Sequence, residues 1–303
     1  MTSSSPELPA TEGVSPRFRD LDAWPSATIL QSLWEGQLAA AAAVQTALPA
    51  IEAAVQASLG RLSQSTGRLA YTGAGTSGRI GVQDGAELPP TFDWPPDRLV
   101  LLMAGGDAAF TRSIENAEDD RAAAAAAIAA HRIGADDVLL AIAASGSTPF
   151  TTEAAIAARR RGALTIGIAN SPGGTLLVAC DHAILVETGP ERIAGSTRLQ
   201  AGTAQKIVLN LFSTLLMVRL GRVHQGLMID MQARNAKLRL RALRMLASLA
   251  GGDPATHEAA LTTAGGNVKL AFLVLRGLDR AAAETLLRRH GGQLRAVLAE
   301  LPD

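Results

Sequence analysis

Short apolar runs alternate with helical stretches through the middle of the chain, and this alternation limits the possible folds more than any other feature. The runs are residues 68–72, 98–103, 137–143, 164–168 and 181–186. Each has the length of a buried strand, and the stretches between them have helical composition. Strands that alternate with helices form right-handed βαβ units. The pattern predicts an α/β fold with a parallel sheet of five strands flanked by helices.

Helical segments precede and follow the predicted sheet. Residues 26–62 have helical periodicity, and Pro49 is expected to divide them into two helices. Residues 198–220 and 233–249 are predicted to be long helices, and short helices separated by glycine pairs follow. We therefore expect a flexible segment 1–20, an α/β domain 21–250 that includes the N-terminal helices, and a small helical domain 251–303.

Composition excludes several classes of protein. The net charge is zero and aromatic residues make up 3 %, so nothing predicts a surface for nucleic acid or for an anionic membrane. The single cysteine, Cys180, allows no internal disulfide, and we expect it to be buried. The N-terminus lacks a basic start with an apolar run, and no uninterrupted apolar run has the length of a bilayer. We expect a cytoplasmic protein.

A glycine-rich turn follows the first predicted strand. Gly73-Ala74-Gly75-Thr76-Ser77-Gly78 has the G-x-G-x-x-G spacing of a dinucleotide-binding turn. That reading also needs an acidic residue about 20 positions further on. Asp107, which ends the next strand, lies farther away, and prolines interrupt the intervening segment. We expect these glycines to bind a different phosphate.

Hydroxyl side chains occur in two of the predicted loops. Thr76 and Ser77 lie in the first loop, and Ser145, Ser147 and Thr148 follow the third strand. Both loops open a helix, whose N-terminus stabilises an anion. The alternative is that these side chains only cap helices and form turns. Together, the two loops predict a site for a phosphate monoester.

Two glutamates follow strand ends near these loops. Glu87 lies beside two prolines, and Glu115 precedes an acidic run in which Asp119 and Asp120 are expected to start a helix. Two carboxylates in one cleft divide the roles of acid and base, although a glutamate is more often an ordinary surface residue. The histidines have no metal-ligand spacing. No metal site is expected.

Seven segments together resemble the N-acetylmuramic acid 6-phosphate etherase family. They are GAGTSGR at 73–79, AELPPTF at 86–92, AGGD at 104–107, IENAEDD at 114–120, AASGSTP at 143–149, GSTRLQAGTAQK at 195–206 and LMIDMQARNAKL at 227–238. The resemblance runs from about Thr11 to the C-terminus. It implies a sugar-isomerase (SIS) domain with a small C-terminal helical domain, and a homodimer.

The resemblance also implies an activity and the residues responsible for it. The family cleaves the D-lactyl ether of N-acetylmuramic acid 6-phosphate in cell-wall recycling, with Glu87 in the position of the proton donor and Glu115 in that of the base. No metal, nucleotide or redox cofactor is implied. The substrate-binding residues expected are Gly75, Thr76, Ser77, Ser145, Gly146, Ser147, Thr148, Ser196 and Thr197.

This chain departs from the family's usual residues at several positions, which leaves its fine substrate specificity open. They are Ala86 and Leu88 for Ser and Cys, Ser147 for Arg, Gln200 for Lys, and Gly226, Arg234 and Ala236 for Asn, Thr and Glu. Two alternative functions remain. An aldose–ketose phosphosugar isomerase would need no leaving-group acid. A non-catalytic sugar-phosphate sensor such as the glucokinase regulatory protein has two SIS domains, whereas this chain has room for one.

Overall fold

A computed structural model describes residues 9–63, 66–233 and 235–301. The chain divides into two compact units, Met1–Gly85 with Asp97–Ser213, and Ala86–Pro96 with Thr214–Asp303. The domain boundaries expected near residues 20 and 250 stay predictions. Residues 1–8 of the expected flexible segment and the departure at position 234 lie outside the described residues.

Helices and strands alternate in the predicted order. The elements are α1 Ser26–Ala43, α2 Leu48–Leu62, β1 Leu69–Gly73, α3 Gly75–Ala86, α4 Leu88–Phe92, β2 Leu99–Met103, α5 Arg121–Ala130, β3 Val138–Ile142, α6 Pro149–Arg160, β4 Leu164–Ala169, α7 Thr175–Ala179, β5 His182–Leu185, α8 Gln200–Arg219, α9 Ala236–Ala250, α10 Pro254–Thr263, α11 Val268–Leu275, α12 Arg280–Arg289 and α13 Leu294–Glu300. Pro49 lies in the first turn of α2, which confirms the predicted break.

The five strands form one parallel sheet, as predicted, and their order in the sheet is β2-β1-β3-β4-β5. Gly73, at the end of β1, is in register with Met103 of β2 and with Ile142 of β3. The chain therefore adds β2 on one side of β1 and the later strands β3 to β5 on the other side. The loops that leave β1 and β3 diverge at such a point, and the crevice between them is the usual ligand site of an open α/β sheet.

Small side chains make up much of the core on one face of the sheet. Ala124 of α5 and Ala158 of α6 are fully buried, together with Leu139 of β3. Helices α5 and α6 pack against each other, and α6 packs on β1, β3 and β4. Alanine lets these elements approach closely, since its side chain needs little room.

The second unit has an apolar core of its own. Ile229, Leu246, Leu261, Leu273 and Val297 are fully buried in it. Helix α11 packs against α9, α10 and α12, and short segments joined by glycine pairs supply the turns. Gly265 and Gly266 both have positive φ, a conformation that favours glycine.

Residues Pro9 to Trp24 contain short 3₁₀ turns at Ala10–Glu12, Pro16–Phe18 and Leu21–Ala23. Thr11 is fully buried. Its backbone N–H donates to Oγ of Ser171 at 3.3 Å, and the two hydroxyl oxygens lie 3.1 Å apart. Ser171 follows β4, so this hydrogen bond fixes the segment at the carboxyl edge of the sheet.

Among the described residues, two helical stretches are long and apolar enough to cross a membrane by length and composition alone. They are Ser26–Leu62 and Gln200–Arg219, although neither contains an uninterrupted apolar run of bilayer length. Buried core helices of soluble proteins meet the same criterion. In the apolar window of Gln200–Arg219, 56 % is buried, as in a core helix.

Candidate active site

The glycine-rich loop joins β1 to α3 by a close approach of backbone to backbone. Gly75 has φ +53°, and α3 starts there, so Thr76 and Ser77 lie in the first helical turn. An added Cβ at Gly78 would lie 2.7 Å from the carbonyl oxygen of Gly73. Because Gly78 has no side chain, the N-terminus of α3 lies directly against the end of β1.

The loop after β3 presents its hydroxyls in a similar way. The Ser147 N–H donates to Oγ of Ser145 at 3.2 Å, and Gly146 has φ +69°. Thr148 is the N-cap residue of α6, but its side chain makes no capping hydrogen bond. The structure therefore does not support the interpretation of Thr148 as only a cap. Because its hydroxyl does not bind the first N–H groups of α6, these groups are open to a ligand.

A cavity of about 310 Å³ lies between these two loops. Its lining contains seven predicted binding residues: Gly75, Thr76, Ser77, Ser145, Ser147, Thr148 and Thr197. Two others, Gly146 and Ser196, are not among the lining residues. Gly146 forms the turn, where an added Cβ would lie 3.2 Å from that of Ala169.

Acidic residues also line this cavity, and none of them was predicted to bind substrate. They are Glu12, Glu118 and Asp119. Asp119 was expected at a solvated helix start. Its neighbour Asp120 does cap α5, accepting a hydrogen bond from the Ala123 N–H at 2.8 Å. Glu12 comes to the cavity through the Thr11 contact with Ser171, which local sequence patterns do not reveal.

The loop that carries Thr197 is held by a buried carboxylate. Glu191 is 1 % exposed and accepts hydrogen bonds from the N–H groups of Gln200 and Ala201, each at 2.9 Å. Burial raises the pKa of Glu191, while these two N–H groups and Arg192 act to lower it. The Gln200 amide donates to the carbonyls of Thr188 and Pro190, so this departure from the family has a structural role.

Glu115 lies in a second cavity of about 170 Å³. Gly75, Ala74 and Glu118 line both cavities, so the two adjoin. The Glu115 side chain is exposed to solvent. Glu115 and the first phosphate loop therefore lie close together, as predicted, and both belong to the same compact unit.

Glu87 belongs to the other compact unit and is also exposed. It is the N-cap residue of α4, and its carbonyl accepts the Thr91 N–H at 3.1 Å. The neighbouring departure from the family, Leu88, is buried at 2 % exposure. The assignment of both glutamates stays a prediction.

A buried carboxylate fixes α3 against its neighbours. Asp84 accepts hydrogen bonds from the Tyr71 hydroxyl at 3.0 Å, the Asn210 amide at 2.7 Å and the Ser213 hydroxyl at 3.1 Å. Burial raises the pKa of Asp84, although these donors act to lower it. Burial also raises the pKa of the Tyr71 hydroxyl. The network joins β1, α3 and α8 beneath the first phosphate loop.

No group of three or more histidine, cysteine, aspartate or glutamate residues suited to a metal ion occurs in the described part of the chain. Cys180 is buried, as predicted, and burial raises the pKa of its thiol to about 12. Such a thiol is protonated at neutral pH and is therefore a poor nucleophile.

Many α/β proteins have a parallel sheet with a cavity at its switch point, and matches to known families place this chain in the SIS-domain class among them. Residues 121–215 match the SIS domain, and residues 50–158 match the glucokinase regulatory protein N-terminal SIS domain. A phosphoheptose isomerase from Francisella tularensis has a similar fold at a TM-score of 0.50, with 19 % identity over 64 % of this chain and 100 % of that one.

Full-length relatives identify the family. The chain is 50 % identical to N-acetylmuramic acid 6-phosphate etherase of Deinococcus radiodurans, covering 96 % of this chain and 95 % of that protein. It is 43 % identical to the enzyme of the same name from Streptomyces avermitilis, covering 98 % and 95 %. The chain belongs to the N-acetylmuramic acid 6-phosphate etherase family.

Proposed function

We propose that this protein cleaves the D-lactyl ether of N-acetylmuramic acid 6-phosphate and releases D-lactate and N-acetylglucosamine 6-phosphate. The observation that carries the proposal is the pair of hydroxyl-bearing helix N-termini around one cavity, with Glu115 in the adjoining one. The near full-length relatives with this activity in their names support it. The pathway it serves is the recycling of cell-wall peptidoglycan.

The phosphate would occupy the first cavity. The hydroxyls of Thr76, Ser77, Ser145, Ser147 and Thr148 would donate to its oxygens, with Gly75, Gly146, Ser196 and Thr197 completing the predicted binding set. The N-termini of α3 and α6 add backbone N–H donors and the positive ends of their dipoles. Fixing the phosphate places the rest of the sugar relative to the glutamates.

Glu115 would act as the base and Glu87 as the acid. In the ring-opened sugar, the C2 proton is acidified by the adjacent aldehyde, and Glu115 removes it. Lactate then leaves from C3 as Glu87 donates a proton to the ether oxygen. Water adds to the unsaturated aldehyde and restores a hydroxyl at C3. These steps need only proton transfers at carboxyl groups.

The first experiment is to incubate the purified protein with N-acetylmuramic acid 6-phosphate and measure lactate, with and without added EDTA. We expect equimolar lactate and N-acetylglucosamine 6-phosphate in both reactions. A folded protein that releases no lactate at high enzyme concentration would refute the proposal.

The roles of the two glutamates are separable by deuterium exchange. In D₂O, Glu87→Gln should lower lactate release by about 10²- to 10⁴-fold, the usual contribution of a general acid, while C2 of the remaining substrate still gains deuterium. Glu115→Gln should abolish both. The exposed Glu52 of α2 offers a matched control, Glu52→Gln, with wild-type rates. Equal loss of exchange in the Glu87 and Glu115 variants would overturn the assignment.

Two alternative functions give different products. An isomerase would interconvert aldose and ketose phosphates and would release no lactate. A sensor, which the match to the glucokinase regulatory protein domain favours, would bind sugar phosphates without turnover. A lactate assay, an assay of aldose–ketose interconversion and isothermal titration of sugar phosphates together distinguish the three.

We infer further that the protein is a cytoplasmic homodimer that binds neither nucleic acid nor a membrane. Helix α1 exposes Leu30, Trp34 and Leu38, at 69, 54 and 51 %. Their spacing of four residues forms an apolar stripe that a second copy would cover. Sedimentation of the wild type should give a dimer, and Trp34→Glu should give a monomer. Equal sedimentation of the two proteins would refute this interface.

A further inference from the structure

The segment that carries Glu87 is short and closely restrained at its far end. Helix α4 begins directly after Glu87, and Asp93 ends it with φ +51° and an N–H that donates to the Pro89 carbonyl at 3.0 Å. Trp94 is then buried at 1 % exposure. Because α4 spans little more than one turn, whatever holds residues 92–94 also restrains the position of Glu87.

Arg222 holds this end of the segment. Its Nη1 donates to the carbonyl oxygens of Phe92 at 2.6 Å and Asp93 at 3.0 Å. The guanidinium carbon lies 5.2 Å from the ring centroid of Trp94, within the range of a cation–π contact. The Gln232 amide donates to the Asp93 carboxylate at 3.0 Å. All these residues belong to one compact unit.

Arg222 is itself held by Asp230, which lies between α8 and α9 and which also pairs with Lys269. Asp230 lies 3.7 Å from Arg222 Nη1 and 2.7 Å from Nζ of Lys269. Lys269, on α11, is 4 % exposed and donates to the Gly292 carbonyl at 2.9 Å. Burial lowers the pKa of Lys269, and Asp230 opposes that shift. A chain of polar contacts thus runs from the core of the helical unit to the Glu87 segment.

A different arginine makes the same kind of contact with the Glu115 loop. Arg79, on α3, donates from Nε to the carbonyls of Ala109 and Phe110 at 3.0 and 3.2 Å, and from Nη2 to that of Arg112 at 2.9 Å. These carbonyls lie in the loop between β2 and Glu115. The helix that opens at the phosphate loop therefore also holds the loop of the base.

We propose that two arginines position the two glutamates separately: Arg222 holds the Glu87 segment and Arg79 holds the Glu115 loop. The C-terminal helical unit then has a role in catalysis, because it supplies the residue that orients the acid. This inference rests on the proposed function for its kinetic consequence, and on the contacts alone for its structural one.

The kinetic test compares Arg222→Met with Arg79→Met in D₂O. Misplacing a reacting group costs up to about 10²-fold. Arg222→Met should release lactate about 10- to 100-fold more slowly, while deuterium exchange at C2 stays within about twofold of the Glu87→Gln variant. Arg79→Met should lower exchange and lactate release together by about 10- to 100-fold. Arg222→Lys keeps the charge and should recover part of the lactate rate. The exposed Arg276 provides a control, Arg276→Met, with wild-type rates.

Amide hydrogen exchange tests the contacts independently of any activity. Residues 91–94 should lose protection in Arg222→Met and keep it in Arg276→Met and Arg79→Met. If Arg222→Met does not fold, Arg222→Lys gives the same readout with a smaller effect. Unchanged protection at residues 91–94, or equal loss of exchange and lactate release in a folded Arg222 variant, would overturn the proposal. A wild type without lactate release would refute the function and leave the protection result to decide the positioning role.

Discussion

Replacing Gly78 by alanine tests whether the close approach of β1 and α3 fixes the phosphate loop. The new Cβ would lie 2.7 Å from the carbonyl oxygen and 2.9 Å from the carbonyl carbon of Gly73. That carbonyl cannot move freely, because its oxygen accepts the N–H of Ala104 at 3.1 Å, which continues the pairing of β1 with β2. The helix N-terminus, the strand end or both must shift.

The expected cost follows from these contacts. Overpacking against a fixed backbone costs about 1–3 kcal/mol. Lengthening the hydrogen bond from Ala104 costs about 1 kcal/mol more. The higher helix propensity of alanine offsets about 1 kcal/mol. Gly78→Ala should therefore lower the free energy of unfolding by about 1–3 kcal/mol. It should also raise the KM for the phosphosugar, since Thr76 and Ser77 lie on the displaced turn.

Urea denaturation followed by circular dichroism at 222 nm gives the measurement. Gly60, in α2, has no atom within 4 Å of an added Cβ, so Gly60→Ala is the matched control. It should raise the free energy of unfolding by about 0.5–1 kcal/mol and leave KM unchanged. A Gly78→Ala protein as stable as the Gly60→Ala protein would show that β1 and α3 do not approach as described.

One reagent and two substitutions test individual polar groups of the α/β unit. Because the Cys180 pKa is about 12, iodoacetamide at pH 8 should alkylate the native thiol at least about a thousandfold more slowly than the urea-unfolded chain; equal rates would contradict its burial. Burial acts to raise the pKa of Asp181, but hydrogen bonds from Thr165 and the charge of Arg159 outweigh it and lower that pKa. The carboxylate therefore stabilises the fold above about pH 4 and loses that effect as pH falls through its folded pKa. Asp181→Asn should cost about 1 kcal/mol at pH 7 and progressively less in acid, and a pH-independent difference would refute this. Glu191→Gln places an amide donor against the N-terminus of α8 and should cost about 1–3 kcal/mol with a raised KM; calorimetry and lactate kinetics check it, and an unchanged melting temperature would count against the cap.

The elements of the fold were predictable because their signals are local. The apolar run 98–103 and the strand Leu99–Met103 differ by one residue, and the Pro49 break falls where a missing N–H is tolerated. The alternation of strands and helices also predicted that the sheet is parallel, but the strand order β2-β1-β3-β4-β5 came from the structure. Local patterns do not report which segment packs with which helix. The membership of Ala86–Pro96 in the helical unit therefore required tertiary structure.

The candidate site was predictable to the extent that strand ends meet at one edge. Thr76 and Thr148 were placed on one cavity by that rule alone. Glu12 was not, because a hydrogen bond between residues 160 positions apart brings its segment to the cavity. Arg79 was also missed as a loop anchor. Its partners are backbone carbonyls, which carry no signal in the sequence, and the same holds for Arg222.

The charges around the first cavity favour one binding orientation of the proposed phosphosugar substrate. No lysine or arginine is among the described residues that line it, so helix N-termini and hydroxyls alone would hold the phosphate. Glu12, Glu118 and Asp119 would repel a dianion but accept hydrogen bonds from sugar hydroxyls. The phosphate should therefore lie on the Ser and Thr side and the sugar on the acidic side. Glu118 lines the Glu115 cavity as well, so the acidic side of the first cavity, where the sugar would lie, adjoins Glu115.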